Sequence, residues 1–145
     1  MAEVIKFTDA VNLGFHAMVF LAKKPEVQVP LGEIATFFKV SEAHLSKVLQ
    51  RLGKAGLVRG SRGPTGGYRM TKAPKDVFLL ELYEAIEGTF KSKFCLFDEP
   101  MCGHQCCGVG EFVGGLNERM REYLEKTSLE QLDKAQDQVR KGKKT

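Results

Sequence analysis

The chain has 145 residues, of which 43% are hydrophobic and 28% are charged, a composition typical of one globular domain. A chain of this length can bury a hydrophobic core unaided, so a disordered protein, a collagen-like repeat and a disulfide-stapled mini-protein are poor fits. The longest apolar stretch, 13–22, is short for a membrane span and follows acidic residues where a signal peptide would need basic ones. We therefore expect a cytoplasmic, reduced protein that does not associate with membranes.

The net charge of +4 is unevenly distributed along the chain. Residues 41–75 hold eight lysines and arginines and one acid, Glu42, so this segment carries +7 and the remainder carries −3. A concentrated basic segment is typical of a surface that contacts a phosphate backbone. Many charge clusters are only solvated faces, so charge alone leaves both interpretations open.

The first elements of the chain are predicted to be helices. Apolar residues recur at helical spacing over 7–23, and Thr8 or Asp9 is available as the N-cap. After a loop, residues 31–38 fit a helix of about two turns. A brief turn then leads into the basic segment.

A third helix and a hairpin are predicted next. Ser41 is the natural N-cap of this helix, and Gly56 is its C-terminal stop. Residues 57–59 are strand-like, 60–67 are rich in turn residues, and 68–70 return as a second strand. Two short helices followed by a basic hairpin is the order of a winged helix-turn-helix, whose second motif helix enters the major groove of DNA. Together with the charge, this order favours DNA binding over a purely structural hairpin.

A long segment without periodicity holds every cysteine of the chain. Asp76 is predicted to cap the preceding helix, which ends at Gly88. Residues 89–110 then show neither helical nor strand spacing. Loops of this length inside a compact domain are usually functional or disordered.

The last part of the chain is predicted to be helical again. The helix 111–125 has an apolar side that the rest of a small DNA-binding unit cannot cover, so its expected partner is the same helix of a second chain. Ser128 is expected to cap a weaker helix, 129–139, before a frayed basic tail, 140–144. The predicted organisation is therefore a DNA-binding domain at 1–88, a cysteine-rich loop at 89–110, and a dimerisation helix with its tail at 111–145.

The hairpin carries a specific resemblance. The run 55–68, AGLVRGSRGPTGGY, resembles the wing signature of the Rrf-two family of bacterial winged-helix transcription regulators, which includes iron–sulfur sensors of the IscR and NsrR type. The similarity extends from the first helix to 128–129. In this wing, glycines at 63, 66 and 67 supply backbone angles that other residues avoid. Arg62 has the reach for a narrow minor groove or for a phosphate.

DNA contacts are expected from the first turns of the third helix and from the wing, because a recognition helix presents its N-terminal residues to base edges. His44 is equally suited to a base or a phosphate. Ser46 stands where other family members can carry a glutamate, so their DNA sequence preference does not transfer. The candidate contacts are Ala43, His44, Ser46, Lys47, Arg51, Arg59, Arg62 and Gly66.

The cysteines fall within thirteen residues, at Cys95, Cys102, Cys106 and Cys107. This spacing is not that of structural zinc, and disulfides are disfavoured in the cytosol. Thiolates on a glycine-containing loop suit a soft centre such as an iron–sulfur cluster. The resemblance implies the same, because sensing members of the family hold a [2Fe–2S] cluster through three loop cysteines and a fourth ligand from elsewhere.

Cys95, Cys102 and Cys107 are the expected ligands. Adjacent side chains tend to point apart, so one of Cys106 and Cys107 is expected to be a spectator, and counting back from 128–129, where the resemblance ends, favours Cys107, with Cys106 as the alternate. The fourth ligand is undetermined. His16 lies on an otherwise apolar helix face, so it is expected to be a core residue rather than a ligand. The resemblance implies candidates for the fourth position at Glu111, where one branch of the family has a histidine ligand, and on the first helix at Asp9, Asn12 and His16, where other branches place an acidic or histidine ligand; His104 is a further candidate inside the loop.

The sequence therefore predicts a mainly α fold with a small β-hairpin wing, a winged helix-turn-helix followed by a long dimerisation helix. It contains no catalytic motif, so no enzymatic activity is expected. The predicted function is a homodimeric regulator that binds a pseudo-palindromic operator in double-stranded DNA and senses cluster status, redox state or nitric oxide. The alternatives are a cluster-free regulator using a thiol redox switch, zinc or a protein partner, and an iron–sulfur carrier whose winged helix is only structural.

Overall fold

A computed structural model describes residues 6–91 and 108–142. Within these ranges the chain forms six α-helices, one short 3-10 turn and a two-stranded antiparallel sheet. The architecture is the mainly α fold with a hairpin wing that the sequence predicted. In chain order the elements are α1 (Asp9–Ala22), α2 (Leu31–Phe38), α3 (Glu42–Lys54), β1 (Val58–Ser61), β2 (Gly67–Met70), a 3-10 turn (Pro74–Asp76), α4 (Leu79–Glu87), α5 (Gly108–Lys126) and α6 (Leu129–Gly142).

Helix α1 is the central element, because α3, α4 and α6 all pack against it. Thr8 caps it, with its hydroxyl accepting a hydrogen bond from the Val11 N–H at 3.3 Å. The predicted core position of His16 is wrong: His16 is exposed, on a narrow polar stripe that it shares with Asn12. The two residues lie one helical turn apart on the same side of α1.

Close packing at Gly14 brings α1, α3 and α4 together. A Cβ at this position would lie 2.3 Å from Ile86 Cδ1 and 3.3 Å from Val48 Cγ1, so a larger residue here would force the Ile86 side chain to move. Helix α4 therefore lies directly against both the first helix and the third.

The turn between α2 and α3 follows the sequence prediction. Lys39 adopts a left-handed conformation with φ 55°, which ends α2. Ser41 then caps α3 by accepting a hydrogen bond from the His44 N–H at 3.1 Å. Gly56, with φ 77°, follows the end of α3 as predicted. These local signals define the helix-turn-helix.

The wing differs from its prediction in two ways. Strand β1 runs two residues further than 57–59 and begins at Val58, and β2 begins one residue earlier, at Gly67. A third segment also joins the hairpin: the Val29 N–H donates to Tyr68 O at 2.9 Å, and the Tyr68 N–H donates to Val29 O at 2.8 Å. The sequence suggested only a loop at Val29, because a single bridge to a residue far along the chain leaves no local pattern.

The predicted cap of α4 is wrong. Asp76 lies in the 3-10 turn, and Phe78 occupies the N-cap position of a helix that begins at Leu79. The reason is a long-range pairing: the Leu129 N–H donates to Val77 O at 2.8 Å, and the Leu79 N–H donates to Thr127 O at 3.0 Å. This strand-like contact holds Val77 extended, so the helix starts later than its apolar pattern indicates.

The last two helices are longer than expected. Helix α5 starts at Gly108 rather than at 111, and α6 continues to Gly142, so residues 140–142 of the expected frayed tail are helical. Ser128 caps α6 as predicted, since its hydroxyl accepts from the Gln131 N–H at 3.3 Å. Helix α6 packs on α1 and is tied to it by Lys23, whose ammonium lies 2.6 Å from the Asp133 carboxylate. In the described ranges, no helix is long and apolar enough to span a bilayer.

Candidate DNA-binding site and its link to the cysteine segment

Helix α3 presents one polar face to solvent. Its buried side consists of Leu45, Val48, Leu49 and Leu52. The predicted contact residues lie on the other side: Ala43, His44 and Lys47 are exposed, and Ser46 is half-buried. The Ser46 hydroxyl accepts a hydrogen bond from Gln50 Nε2 at 3.2 Å, so Gln50 belongs to the same face. This is the arrangement in which a recognition helix offers side chains to a groove.

Glycines shape the wing that follows. Gly63 has φ 105°, a region that favours glycine. Gly66 is required for a different reason from the one the sequence suggested, because it does not have a positive φ and a Cβ there would lie 2.6 Å from Ser61 O. Arg62, at the exposed end of the hairpin, is positioned beside this tight turn.

The basic segment is largely free of internal neutralisation. Of its eight cations, Lys72 lies 3.8 Å from Glu81, the one ion pair of this segment in the described part of the chain. Arg59 and Arg69 are direct cross-strand partners, an arrangement in which like charges repel. The remaining candidates for phosphate contact are Lys47, Lys54, Arg62 and Lys75, all of them exposed. Such a face attracts polyanions.

Arg51 plays a part that the sequence did not indicate. Its guanidinium Nη1 donates to the carbonyl oxygen of Ile86 at 3.0 Å, at the C-terminal end of α4. A cation in this position also favours the negative end of the helix dipole. Arg51 therefore ties the recognition helix to the helix that precedes the cysteines. The two residues are 35 positions apart, so no local sequence signal could reveal the contact.

The C-terminal end of α4 lies beside the start of α1. The Thr8 hydroxyl donates to the Glu87 carboxylate, and the Phe90 N–H donates to the Glu84 carboxylate at 3.2 Å. The Tyr83 ring lies 5.6 Å from the ring of Phe90 and 6.4 Å from that of Phe7. These contacts fix the point from which the cysteine segment, residues 92–107, departs.

All four cysteines, Cys95, Cys102, Cys106 and Cys107, and also His104, lie outside the described residues. Among the described residues, no group of three or more His, Cys, Asp and Glu side chains is placed to hold a metal. Asp9, Asn12 and His16 line a shallow cleft of about 380 Å³ together with His44 of α3. The His16 Nδ1 donates to Asn12 O at 2.7 Å. Glu111 is exposed in the first turn of α5.

Helix α5 divides its apolar residues between two faces. Val113 and Leu124 are buried, on the side where α5 packs against α4. Val109, Phe112, Leu116 and Tyr123 are exposed, with 68% of Phe112 accessible. These four residues, spaced by three, four and seven positions, form one continuous stripe on the helix, which we call the α5 stripe. A Cβ at Gly115 would meet no atom within 4 Å, so nothing in the described chain explains a glycine there.

A helix-turn-helix with an exposed recognition face, a wing and unneutralised cations defines a winged-helix DNA-binding regulator. The Rrf2 family model, described as "Iron-dependent Transcriptional regulator", matches residues 7–135. The chain belongs to the Rrf2 family, as the wing signature predicted. It is therefore a transcription regulator, and its family is one of regulators rather than of enzymes.

Known proteins agree with this assignment. NsrR, an HTH-type transcriptional regulator of Bacillus licheniformis, is 29% identical over 94% of this chain and 98% of its own length. BadM of Rhodopseudomonas palustris, a putative HTH-type transcriptional regulator, is 43% identical over 76 residues, and the chain spans about half (49%) of that relative's length. The solved structure of CymR, the global cysteine regulator of B. subtilis, superposes with a TM-score of 0.76 at 28% identity, covering 90% of this chain and 98% of that one.

Proposed function

We propose that this Rrf2 regulator is a homodimer that binds a pseudo-palindromic operator and senses its signal through a [2Fe–2S] cluster held by Cys95, Cys102 and Cys107. One observation carries the proposal. The cysteine segment joins α4, whose last turn is bonded to the recognition helix through Arg51, to α5, which exposes an uncovered apolar stripe. The same segment is therefore attached to the DNA-reading element and to the proposed dimer contact. In functional terms we divide the chain at 88 and 110, as the sequence suggested.

The operator contacts follow from the exposed face. We assign base contacts to the first turns of α3, at Ala43, His44, Ser46 and Lys47, where the helix N-terminus would enter the major groove. Arg62 and Gly66 would place the wing against the backbone or minor groove, and Arg59 would contact phosphate. A phosphate beside Arg59 would also relieve its repulsion with Arg69. Arg51, which the sequence predicts as a DNA contact, is assigned chiefly to the bond between α3 and α4.

The dimer contact would be the α5 stripe. Apolar residues at spacings of three, four and seven match the seam of a two-stranded coiled coil. Gly115, next to this stripe, would let two helices approach closely, which accounts for a glycine with no neighbour in its own chain. Two copies related by a two-fold axis would present two recognition helices to a palindromic site.

The donor chemistry of the cysteine segment fits an iron–sulfur cluster, which supplies redox and nitric-oxide reactivity when bound. The family description, iron-dependent, supports the same cofactor. Position within the fold favours Asp9 and Glu111 as sources of the fourth ligand. Asp9 adjoins Thr8, which binds Glu87 beside the departure point of the segment, whereas His16 lies about 10 Å further along α1. Glu111 lies one turn into the helix that follows the segment.

Sensing would operate through the relative positions of the two helices that the cysteine segment joins, α4 and α5. When the cysteines are held together, the separation and angle between the ends of α4 and α5 are restricted. When the cysteines are released, that restriction is lost, and the spacing of the two recognition helices in the dimer is free to change. A coupling free energy of about 1–3 kcal/mol would alter operator affinity by ~5- to 150-fold.

The decisive experiment is the visible spectrum of the full-length protein purified without oxygen, with iron and acid-labile sulfide assayed in the same sample. We expect a cluster spectrum and two irons per chain, and loss of both in Cys95→Ala and Cys102→Ala. Cys107→Ala should lose more than Cys106→Ala, which serves as the matched control. Absence of iron and sulfide after reconstitution, or operator affinity equal to that of loaded wild type in all four variants, would contradict the proposal.

One observation favours the cluster-free alternative. The superposition with CymR, the global cysteine regulator of B. subtilis, covers nearly the whole of both chains. In that case the cysteines would act as a thiol redox switch, bind zinc or follow a protein partner. An iron-free protein whose operator affinity changes reversibly between thiol-reducing and mildly oxidising conditions would establish the redox form of this alternative.

A further inference from the structure

A second candidate site lies on the side of the molecule formed by α1, the α1–α2 loop, α2 and α6. It is a cleft of about 420 Å³, within the size range of small-molecule sites, roughly 300–1,000 Å³. Three aromatic rings form its apolar wall: the ring of Phe20 lies 4.8 Å from that of Phe37 and 5.8 Å from that of Phe38. Phe37 is 59% exposed, which is unusual for a large apolar side chain on a helix of the core motif.

The mouth of this cleft is positively charged. Lys23, Lys24 and Arg140 line it, against one acid, Glu33. The Lys23 ammonium is already engaged by Asp133 at 2.6 Å and Asp137 at 3.5 Å. Lys24 and Arg140 make no ion pair within the described ranges, so two cations remain available beside the aromatic wall. An apolar floor with unneutralised cations at its rim complements a molecule with a ring and a single negative charge.

Apart from Gln136 and Arg140 of α6, the walls of this cleft belong to the DNA-binding unit. Gln28 and Val29 line it and are bonded to the wing: Gln28 Nε2 donates to Gly67 O at 3.2 Å and to the Ser61 hydroxyl, and Val29 exchanges two backbone hydrogen bonds with Tyr68. The opposite wall is α2, the first helix of the helix-turn-helix. A molecule in the cleft would therefore contact elements that position both the wing and the recognition helix.

We propose that this cleft is an effector site for a small aryl carboxylate. The ring packs on Phe20, Phe37 and Phe38, and the carboxylate is bound by Lys24 and Arg140. The residues proposed to bind the ring and the carboxylate are assigned neither to the cluster nor to the DNA, and His16, a candidate fourth ligand of the cluster, lines the cleft without a role in this proposal. Its regulatory consequence rests on the proposed DNA-binding function, whereas binding itself can be measured on the protein alone.

The test uses 3-phenylpropionate as the probe and 3-phenylpropanol as its neutral counterpart. The full-length protein is titrated with each, and binding is followed by amide chemical shifts in NMR spectra. We expect saturable shifts at Val19, Phe37 and Gln136 with the acid, and weaker binding of the alcohol. The double variant Lys24→Met with Arg140→Met should lower the affinity for the acid by about tenfold or more, because only charge-assisted bonds are lost. Its affinity for the alcohol should stay within about twofold of the wild-type value. Lys126→Met, an exposed lysine on α5, is the matched control.

Three results would overturn the site: no saturable shift at the cleft, equal affinity for the acid and the alcohol, or equal loss in the double variant and in Lys126→Met. Phe37→Ser should weaken the binding of both probes, and a change of oligomeric state in that variant would instead identify a second copy as the occupant.

A second experiment tests regulation by measuring the affinity of the protein for an operator selected from a random pool, with and without saturating acid. A change of about threefold or more is expected, and equal affinities would refute the regulatory role. Failure of DNA binding in both conditions would refute the proposed function while leaving the measured site intact.

Discussion

Gly67 holds the wing against the α1–α2 loop, and its replacement by alanine should detach the two. A Cβ at this position would lie 2.3 Å from Val29 O and 2.8 Å from Pro30 N, and φ is 154°, where side chains are strained. The clashing atoms belong to the backbone, so they cannot move aside as a side chain can. The strand-like contact between Val29 and Tyr68, with its two hydrogen bonds, must open.

The expected cost can be built from these terms. Overpacking into a fixed neighbour costs about 1–3 kcal/mol. Each lost backbone hydrogen bond adds about 0.5–1.5 kcal/mol. Since opening the contact relieves part of the overlap, we expect Gly67→Ala to lower the free energy of unfolding by about 2–4 kcal/mol, or Tm by about 5–15 °C.

Urea denaturation at a fixed protein concentration measures this loss, because the stability of the proposed dimer would depend on concentration. Gly63→Ala is the matched control: it also has a positive φ, of 105°, but its Cβ would meet no atom within 4 Å. The control should lose about 1 kcal/mol from backbone strain alone. A Gly67→Ala protein as stable as the control, with unchanged amide shifts at Val29, would refute the reasoning.

Four further outcomes are expected. Leu116→Glu should yield monomers with weak operator affinity in sedimentation and DNA-binding assays, whereas Arg121→Glu, also exposed on α5, should remain dimeric; a DNA-competent Leu116→Glu monomer would exclude the α5 stripe as the contact. Arg62→Ala should lose roughly 1–3 kcal/mol on a specific site and less on random DNA, while Lys54→Ala should weaken both equally; equal losses for Arg62→Ala would make it a phosphate contact. Arg51→Met should destabilise the fold by about 1–2 kcal/mol in thermal unfolding through loss of the bond to Ile86 O, and an unchanged Tm would remove that link. The pKa of Lys23 is raised above its usual 10.5, chiefly by its hydrogen bond to Asp133, so its stabilisation should be complete from neutral pH up to pH 10.5 and decline as pH rises through the higher folded-state pKa; the Tm difference between wild type and Lys23→Met should stay constant over that range and shrink above it.

Local chemistry made the helix-turn-helix predictable. The helix ends are defined by residues that act within four positions of them, at Thr8, Ser41 and Gly56, so these signals can be recognised in the sequence. Asp76 had the same chemistry as a cap, but the pairing of Val77 with Leu129 displaced the helix start. His16 was misplaced because its neighbours in the sequence are apolar, whereas exposure is decided by where α3, α4 and α6 dock.

The candidate site was likewise predictable where it depends on local sequence and unpredictable where it depends on the packing of distant elements. The exposed residues of α3 and the basic wing followed from amphipathic spacing and charge, which are properties of the sequence itself. The bond from Arg51 to Ile86 and the bridge from Val29 to the wing join distant parts of the chain, and they depend on how whole elements pack. The cleft at Phe37 likewise arises from four elements that no single stretch of sequence describes.

The backbone hydrogen bonds at Thr127 and Leu129 make the C-terminal end of α5 a fixed point about which the helix can tilt. Its C-terminal end is pinned to Val77 and Leu79 by two hydrogen bonds, while its other end adjoins the cysteine segment. With 19 residues, the helix is about 28 Å long. A tilt of only about 5° about that fulcrum would move the far end by about 2.5 Å, given a rise of ~1.5 Å per residue. Because the cysteine segment joins the chain at that far end, a rearrangement of the segment by a few ångströms would, under the proposed function, tilt the whole helix and reorient the α5 stripe.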